Sequence, residues 1–275
     1  MNILTIDLEE WYTYELYKKG PPTYYEPILE KYLDDVLALL DNHKVKATFF
    51  CLGIIARRQP LVIQKIANNG HEIGCHSDVH KLLTSLTPSL FREDTKKAID
   101  SLSQVIGKKV TMYRAPAFTI TERNKWALEL LVESGIEIDS SIFPANRSYG
   151  GFPALNIKKP TIIKTEAGFL KEFPMNYSPI LGKRIIYTGG GYFRILPYAI
   201  IKHYFNLTDY NMSYFHLRDF DKFQKKVINT RFFINYVGIN SCFSKFEDLL
   251  NDFPFISLAE ADQRINWDFS KNIMI

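Results

Sequence analysis

The sequence predicts an α/β fold built on a parallel β-sheet, either a (β/α) barrel or an open α/β sheet. Short β-rich runs alternate with longer stretches of helical spacing along most of the 275 residues. Polar residues that could take part in a reaction lie at the ends of the predicted strands. Because the carboxyl ends of parallel strands meet at one face of such a sheet, these two observations predict both the fold and the position of a site.

The elements of the first half have clear local signals. The helix predicted over 88–106 has Thr87 as a plausible N-cap, a proline at its first position and Gly107 as its stop signal. The strands predicted in this half are 3–7, 46–52, 72–76, 110–114 and 136–139, and the helices are one that ends near residue 43 and then 60–69, 88–106 and 122–134.

The second half is less regular. Proline, glycine and aromatic residues predominate from about 143 to 191, where we expect a loop-rich elaboration with short strands at 161–165 and 169–173. Regular elements then return, as helices over 196–205 and 244–252 and strands over 212–216 and 255–257. The chain contains no repeat of fixed period and no low-complexity linker, so we expect a single catalytic domain over residues 1–275.

Composition excludes several classes of protein. The net charge of +4 is spread along the chain without a block of Lys and Arg, so no nucleic-acid partner is expected. Three cysteines that lie far apart are best explained as buried, reduced thiols. We see no secretion signal at the start and no apolar run long enough to cross a bilayer, so we expect a cytoplasmic protein without a transmembrane segment.

Five polar residues are predicted at the ends of different strands. They are Asp7, His76, Arg114, Asp139 and His216. Taken singly, each has an ordinary structural explanation, such as a turn residue, a surface ion pair or a histidine with its hydrogen bonds satisfied in the core. Their convergence on one face would be unusual for random decoration and predicts an active site.

His76 and His80 indicate a metal. Two imidazoles four residues apart can bind one divalent ion, although this spacing alone is weak evidence and also fits a solvated helix start. The carboxylates at the end of the first strand, Asp7 and Glu9, could supply a third ligand and a general base. Together these residues predict a metal-dependent hydrolase.

Several motifs match one family. They cover residues 5–11, 76–80, 114–118, 139–141 and 214–216, with a further glycine-rich segment over 189–197. The chain resembles the polysaccharide deacetylases of carbohydrate esterase family four, in particular the branch found beside exopolysaccharide and exosortase gene systems. This resemblance implies a distorted, incomplete (β/α) barrel.

The first motif departs from the family pattern. Most members have two adjacent aspartates, the first a base and the second a metal ligand, whereas here Leu8 follows Asp7. In an extended strand Leu8 faces away and Glu9 returns to the side of Asp7. Asp7 and Glu9 can therefore divide the two roles, and we favour Glu9 as the ligand.

The resemblance also implies the remaining roles. Glu9, His76 and His80 would hold a divalent metal, for which zinc is favoured although other first-row ions suit the same donors. Asp7 would be the general base, held by Arg114. His216 would be the general acid that protonates the leaving amine.

Asp139 has two possible roles by this resemblance. It would either orient His216 or join the network of Arg114, and the sequence does not choose between them. Three aromatic residues beside the motifs, Trp11, Phe118 and Tyr192, could stack on sugar rings.

The expected reaction is removal of an N-acetyl group from an amino sugar in a glycan or glycan precursor. The substrate partner would therefore be an acetylated amino sugar. Hydrolysis of an O-acetyl ester stays open, because the same chemistry cleaves esters. Two alternatives are a hydrolase of small non-sugar amides, similar to allantoinases, and a non-catalytic relative that binds glycans.

Overall fold

A computed structural model of the protein describes residues 1–10, 13, 28–147, 149–180, 182–224, 226 and 232–275. The strands are β1 (Asn2–Leu8), β2 (Thr48–Cys51), β3 (Glu72–Cys75), β4 (Met112–Tyr113), β5 (Ile138–Asp139), β6 (Thr161–Thr165), β7 (Gly168–Glu172), β8 (Ser178–Ile180), β9 (Lys183–Ile185), β10 (Asn211–His216) and β11 (Asn272–Met274). The helices are α1 (Leu29–Asn42), α2 (Gly53–Arg58), α3 (Pro60–Asn68), α4 (Pro88–Ile106), α5 (Trp126–Glu133), α6 (Gly190–Ile195), α7 (Tyr198–Leu207), α8 (Phe232–Tyr236), α9 (Cys242–Asp252) and α10 (Leu258–Arg264).

Nine strands form one sheet in the order β10-β1-β2-β3-β4-β5-β7-β6-β11. All pairs from β10 to β7 are parallel, whereas β6 runs antiparallel to β7. Strands β8 and β9 form a separate hairpin. Among the described residues β10 and β11 do not pair, so the sheet stays open and the prediction of a distorted, incomplete barrel is confirmed.

The two faces of β1 show how the sheet positions the site. Leu4, Ile6 and Leu8 belong to the larger hydrophobic core. Ile3 belongs to a second cluster on the other face. Because side chains alternate along a strand, the residues that follow Ile3 on its face are Thr5 and Asp7. Polar groups at the end of this face are therefore carried by a strand that is buried on both sides.

Most predicted elements are present, and two predictions were wrong in detail. The helix expected over 196–205 is present as α7 but begins only at Tyr198, because Leu196, which precedes a proline, is extended. The strand expected over 255–257 is reduced to a single bridge between Ile3 and Ile256. Ser257 instead caps α10, and the last strand is β11.

The region from 143 to 191 is more regular than its composition suggests. Strands β6 and β7 lie within a residue of their predicted bounds, and the β8–β9 hairpin was not predicted. Within the described ranges no helix combines the length and the apolarity that a membrane crossing requires.

Candidate active site

The predicted site residues converge at the carboxyl ends of the parallel strands. Asp7 lies near the end of β1, opposite His216 in the register of β1 and β10. His76 directly follows β3, and Arg114 directly follows β4. Asp7, His76 and Arg114 are all buried, with no more than 2% of each exposed. The sheet therefore brings together residues that are far apart in the sequence.

Glu9 forms the centre of the predicted metal site. Its Oε1 lies 3.0 Å from Nε2 of His76 and 2.9 Å from Nε2 of His80. The next carboxylate, Glu10, has a different task, because it accepts hydrogen bonds from the backbone N–H groups of Ile28 and Leu29 at the start of α1. Of the two glutamates, Glu9 is thus the one that contacts the histidines.

The donor set fits a divalent metal. Two ligands of one tetrahedral zinc ion are about 3.3 Å apart when each bond is about 2.0–2.1 Å, close to the separations seen here. Nδ1 of His76 lies 2.7 Å from the carbonyl oxygen of Arg114 and must carry the proton, which leaves the lone pair on Nε2 for a metal. Oε2 of Glu9 is buried and has no hydrogen-bond partner among the described residues. An unsatisfied buried carboxylate oxygen is costly unless a cation compensates it.

The electrostatics of this cluster also favour a cation. Burial alone would raise the pKa of Glu9, but His80, His216 and His76 together hold it well below its ordinary value. Burial alone would lower the pKa of His76, yet the Asp7 and Glu9 carboxylates raise it above its ordinary value. The Glu9 carboxylate thus stays ionised and attracts positive charge.

The loop that carries both histidines is anchored from behind by Asp78. This buried carboxylate accepts two hydrogen bonds from Arg57, at 2.6 and 3.0 Å, and lies 3.1 Å from Nζ of Lys97. His80 has a left-handed backbone, with φ of 61°, and its N–H donates to Oγ of Ser77. The ion pairs connect the loop to α2 and α4 and hold it in this unusual conformation.

Arg114 holds Asp7. Its Nη1 donates to Oδ1 of Asp7 at 2.9 Å and to Oγ1 of Thr5 at 2.6 Å. Its Nε and Nη2 donate to the carbonyl and hydroxyl oxygens of Ser140, at 3.1 and 2.9 Å. A guanidinium fixed at both ends orients one oxygen of Asp7 and leaves Oδ2 for the site. The sequence analysis did not identify Thr5, although it lies two residues before Asp7 on the same strand face.

His216 is oriented by a residue that the sequence analysis missed. Its Nδ1 lies 3.1 Å from Oδ2 of Asp219, and Asp219 also forms an ion pair with Arg194. Nε2 of His216 lies 3.8 Å from Oδ2 of Asp7. Burial lowers the pKa of His216 to about 4, so its ring is neutral at pH 7, with the proton on the nitrogen that faces Asp219.

Asp139 lies beside the Arg114 network. Its Oδ1 accepts a 2.6 Å hydrogen bond from Ser141, whose Oγ accepts one from the N–H of Ala115 at 2.8 Å. Of the two alternatives for Asp139, this geometry favours the Arg114 network, because Asp219 occupies the position next to His216 Nδ1.

The predicted sugar platforms have different surroundings. Trp11 lies outside the described residues. Phe118 is only 3% exposed and packs against Phe143 and Tyr214, so its ring has no open face for a sugar and we withdraw it as a platform. Tyr192 on α6 is 43% exposed and stays a candidate.

The glycine-rich segment before α6 has a steric explanation. A Cβ at Gly189 would lie 1.9 Å from the carbonyl oxygen of Tyr214, and one at Gly190 would lie 2.5 Å from the Tyr214 hydroxyl. Gly190 also has a φ of 55°, which favours glycine. The absence of side chains therefore allows α6, with Tyr192 and Arg194, to approach the strand that ends at His216.

Comparisons with known proteins match two parts of the chain to family profiles. The family profile described as polysaccharide deacetylase matches residues 17–137, and a profile described as a domain of unknown function, DUF3473, matches residues 140–263. A Bacillus cereus peptidoglycan-N-acetylglucosamine deacetylase is 37% identical over 95 residues, which are 34% of this chain and 34% of that protein. The matched segments span about a third of the length of the curated relatives.

Solved structures share the fold. A Mycobacterium smegmatis protein assigned to the polysaccharide deacetylases superposes with a TM-score of 0.66 at 18% identity, covering 99% of this chain and 92% of that one. A Bacillus anthracis pseudoenzyme of carbohydrate esterase family four has a TM-score of 0.52 at 11% identity, covering 99% and 66%. At these identities the likeness concerns the fold alone.

Proposed function

Because this chain belongs to the polysaccharide deacetylase family, we propose that it removes an N-acetyl group from an amino sugar in a glycan or glycan precursor. The observation that carries the proposal is that Nε2 of His76 and Nε2 of His80 both lie within hydrogen-bond distance of Oε1 of Glu9, next to Asp7 and His216. An array of two histidines, one carboxylate ligand and two further proton-transfer groups is suited to amide hydrolysis.

Glu9, His76 and His80 would hold a divalent metal, for which we propose zinc. The donor set of two imidazoles and one carboxylate is a catalytic zinc set that leaves a coordination position open. When bound, the metal supplies an activated water nucleophile and polarises the acetyl carbonyl group.

Asp7 would accept the proton of the nucleophile. Arg114 binds its Oδ1 and is itself completely buried, so the carboxylate is held with Oδ2 directed toward His216. The other partner of Arg114 Nη1, Thr5, limits rotation of the guanidinium. A base with a fixed orientation needs little reorganisation when it accepts a proton.

His216 would deliver a proton to the leaving nitrogen. At neutral pH its Nε2 carries a lone pair, so the ring must receive a proton before it can donate one. Oδ2 of Asp7, 3.8 Å away, is the neighbouring carboxyl oxygen that can return the proton taken from the nucleophile. Asp219 would stabilise the imidazolium that forms in between.

A non-catalytic glycan-binding role is the second candidate. A family-four pseudoenzyme from Bacillus anthracis shares the fold, so the fold by itself does not establish catalysis. The two candidates differ in their chemistry, because only a deacetylase would release acetate and a primary amine in equal amounts.

The experiment incubates the zinc-loaded protein with an oligomer of N-acetylglucosamine and measures both products. We expect acetate and amine to appear together, and to be lost in His76→Ala and His80→Ala along with bound zinc, while circular dichroism shows a folded chain. His203→Ala, which removes an exposed histidine on α7, is the matched control and should keep both zinc and activity.

Three parallel arms separate the alternatives. An O-acetylated sugar tests for esterase activity, and allantoin tests for hydrolysis of small non-sugar amides. Binding of the oligomer without any release of acetate would support the non-catalytic candidate. Full zinc occupancy in both histidine variants would contradict the proposed ligand set.

A further inference from the structure

A pair of buried carboxyl groups lies behind the proposed active site. Asp139 and Glu172 face each other in the register of β5 and β7, and both are completely buried. They are register partners on adjacent parallel strands, so their side chains project from the same face of the sheet. The mechanism above uses neither of them as a donor or acceptor toward the substrate, so their burial needs another explanation.

The pair must hold one proton. Two ionised carboxylates side by side in a buried site repel each other, whereas a proton on one of them removes the repulsion and provides a donor to the other. Oε1 of Glu172 accepts from the N–H of Ile142 at 3.0 Å, whereas its Oε2 has no hydrogen-bond partner among the described residues. Arg114 is the cation that acts on both groups, but its guanidinium is already bonded to Asp7. Three ionised carboxylates around one guanidinium would leave uncompensated negative charge without water.

The pair fixes a turn that contacts Arg114. Residues 140–142 follow β5, and the side chains of the pair bind two of them: Asp139 accepts from Ser141, and Glu172 accepts from Ile142 N–H. Ser140 lies in the sequence between Asp139 and these two residues. It accepts hydrogen bonds from Arg114 through both its carbonyl and its hydroxyl oxygen. The position of Arg114, and through it of Asp7, therefore depends on how firmly this turn is held.

We propose that Glu172 is a positioning residue that shares one proton with Asp139 and so fixes the turn that holds Arg114 against Asp7. Burial and the neighbouring Asp139 raise the pKa of Glu172 well above its ordinary value, which agrees with a protonated pair at neutral pH. The role in turnover rests on the proposed deacetylase function. The shared proton does not, and can be measured without any substrate.

Infrared spectroscopy at neutral pH tests the proton. We expect the carbonyl band of a protonated carboxylic acid in the wild-type protein, and its loss in both Glu172→Gln and Asp139→Asn, because either amide can donate to a partner that is then ionised. Glu72→Gln is the matched control, since Glu72 accepts hydrogen bonds from Thr48 and Ala259 N–H at the other end of the sheet. Persistence of the full band in Glu172→Gln would refute the shared proton.

Kinetics test the positioning role. Glu172→Ala should lower kcat on the N-acetylated oligomer by roughly 10- to 100-fold, as a displaced base does, with little change in KM. Glu172→Gln should recover most of that loss, because the amide replaces the acid as donor and still accepts from Ile142. Glu72→Ala should leave kcat unchanged. An equal loss in the Gln and Ala variants, or an equal loss in Glu72→Ala, would contradict the role. If the Ala variant does not fold, the Gln variant and its spectrum still decide.

Discussion

Asp7 has one oxygen bound by Arg114 and the other directed into the site, and this arrangement is what a fixed base requires. Asp7→Asn keeps the size of the side chain and removes its basicity. We expect a loss of kcat by roughly 10²–10⁴-fold with the metal retained, measured by acetate release and by metal analysis. Asp209→Asn, on an exposed surface pair with Lys159, is the control. Loss of the metal in Asp7→Asn would instead make Asp7 a ligand.

His216 can be tested through the leaving group. An amine must be protonated before it departs, whereas an activated aryl ester releases a phenolate that needs no proton. We therefore expect His216→Ala to lose roughly 10²–10⁴-fold on the amide but far less on an aryl acetate, from parallel measurements of kcat. Equal losses on both substrates with normal metal content would assign His216 to positioning.

At this scale the sequence predicted most of the residues that the sheet brings together, but not those that orient them. Strand parity was sufficient to favour Glu9 over Leu8. Asp219 could have been found, because an acidic residue three positions after His216 can reach back to its backbone N–H, as it does here at 2.9 Å. Glu172 could not, since only the pairing of β5 with β7 brings it to Asp139.

The loop between β3 and α4 depends on Asp78 more than on its own backbone preferences. Asp78→Ala would leave Arg57 and Lys97 without their buried carboxylate partner. We expect metal affinity to fall by roughly 10- to 100-fold, as on removal of groups that orient metal ligands, measured by competition with a chelator. Asp100→Ala removes an exposed ion pair on α4, the helix that carries Lys97, and should leave metal affinity unchanged. Unchanged metal affinity in Asp78→Ala would show that the loop keeps its conformation without the ion pairs of Asp78.

The junction of β2 and β3 contains a histidine that is buried in its neutral form. His71 Nδ1 accepts from the N–H of Ala47, and burial lowers its pKa to about 4. The unfolded chain binds this proton near pH 6.5 and the folded chain only near pH 4. The contribution of neutral His71 to the free energy of unfolding is therefore fully present above pH 6.5. It declines between pH 6.5 and 4, by on the order of 2–3 kcal/mol.

His71→Gln provides the comparison, because its amide oxygen can still accept from Ala47. Urea unfolding at pH 7 and at pH 4.5 should show a smaller loss of the free energy of unfolding in the variant than in the wild type. The same loss in both proteins would place the proton uptake elsewhere.

Over the whole molecule, the proposed site combines residues from distant parts of the sequence at the ends of β1, β3, β4 and β10. Asp7 and Glu9 precede the residues matched by the deacetylase profile, His76 and His80 lie within them, and His216 lies within the second matched segment. Periodicity predicted the parallel sheet that unites these parts. It could not predict β11, because that strand is partly exposed and lacks a buried face to impose a pattern.

The most direct test of the account is a zinc titration of metal-free protein, with acetate and amine release from an N-acetylglucosamine oligomer measured at each addition. We expect no turnover without metal, a rise in proportion to added zinc, and saturation at about one ion per chain, as three converging ligands predict. Equal turnover before and after the addition of zinc would contradict the account, and so would a saturated metal site that releases no acetate.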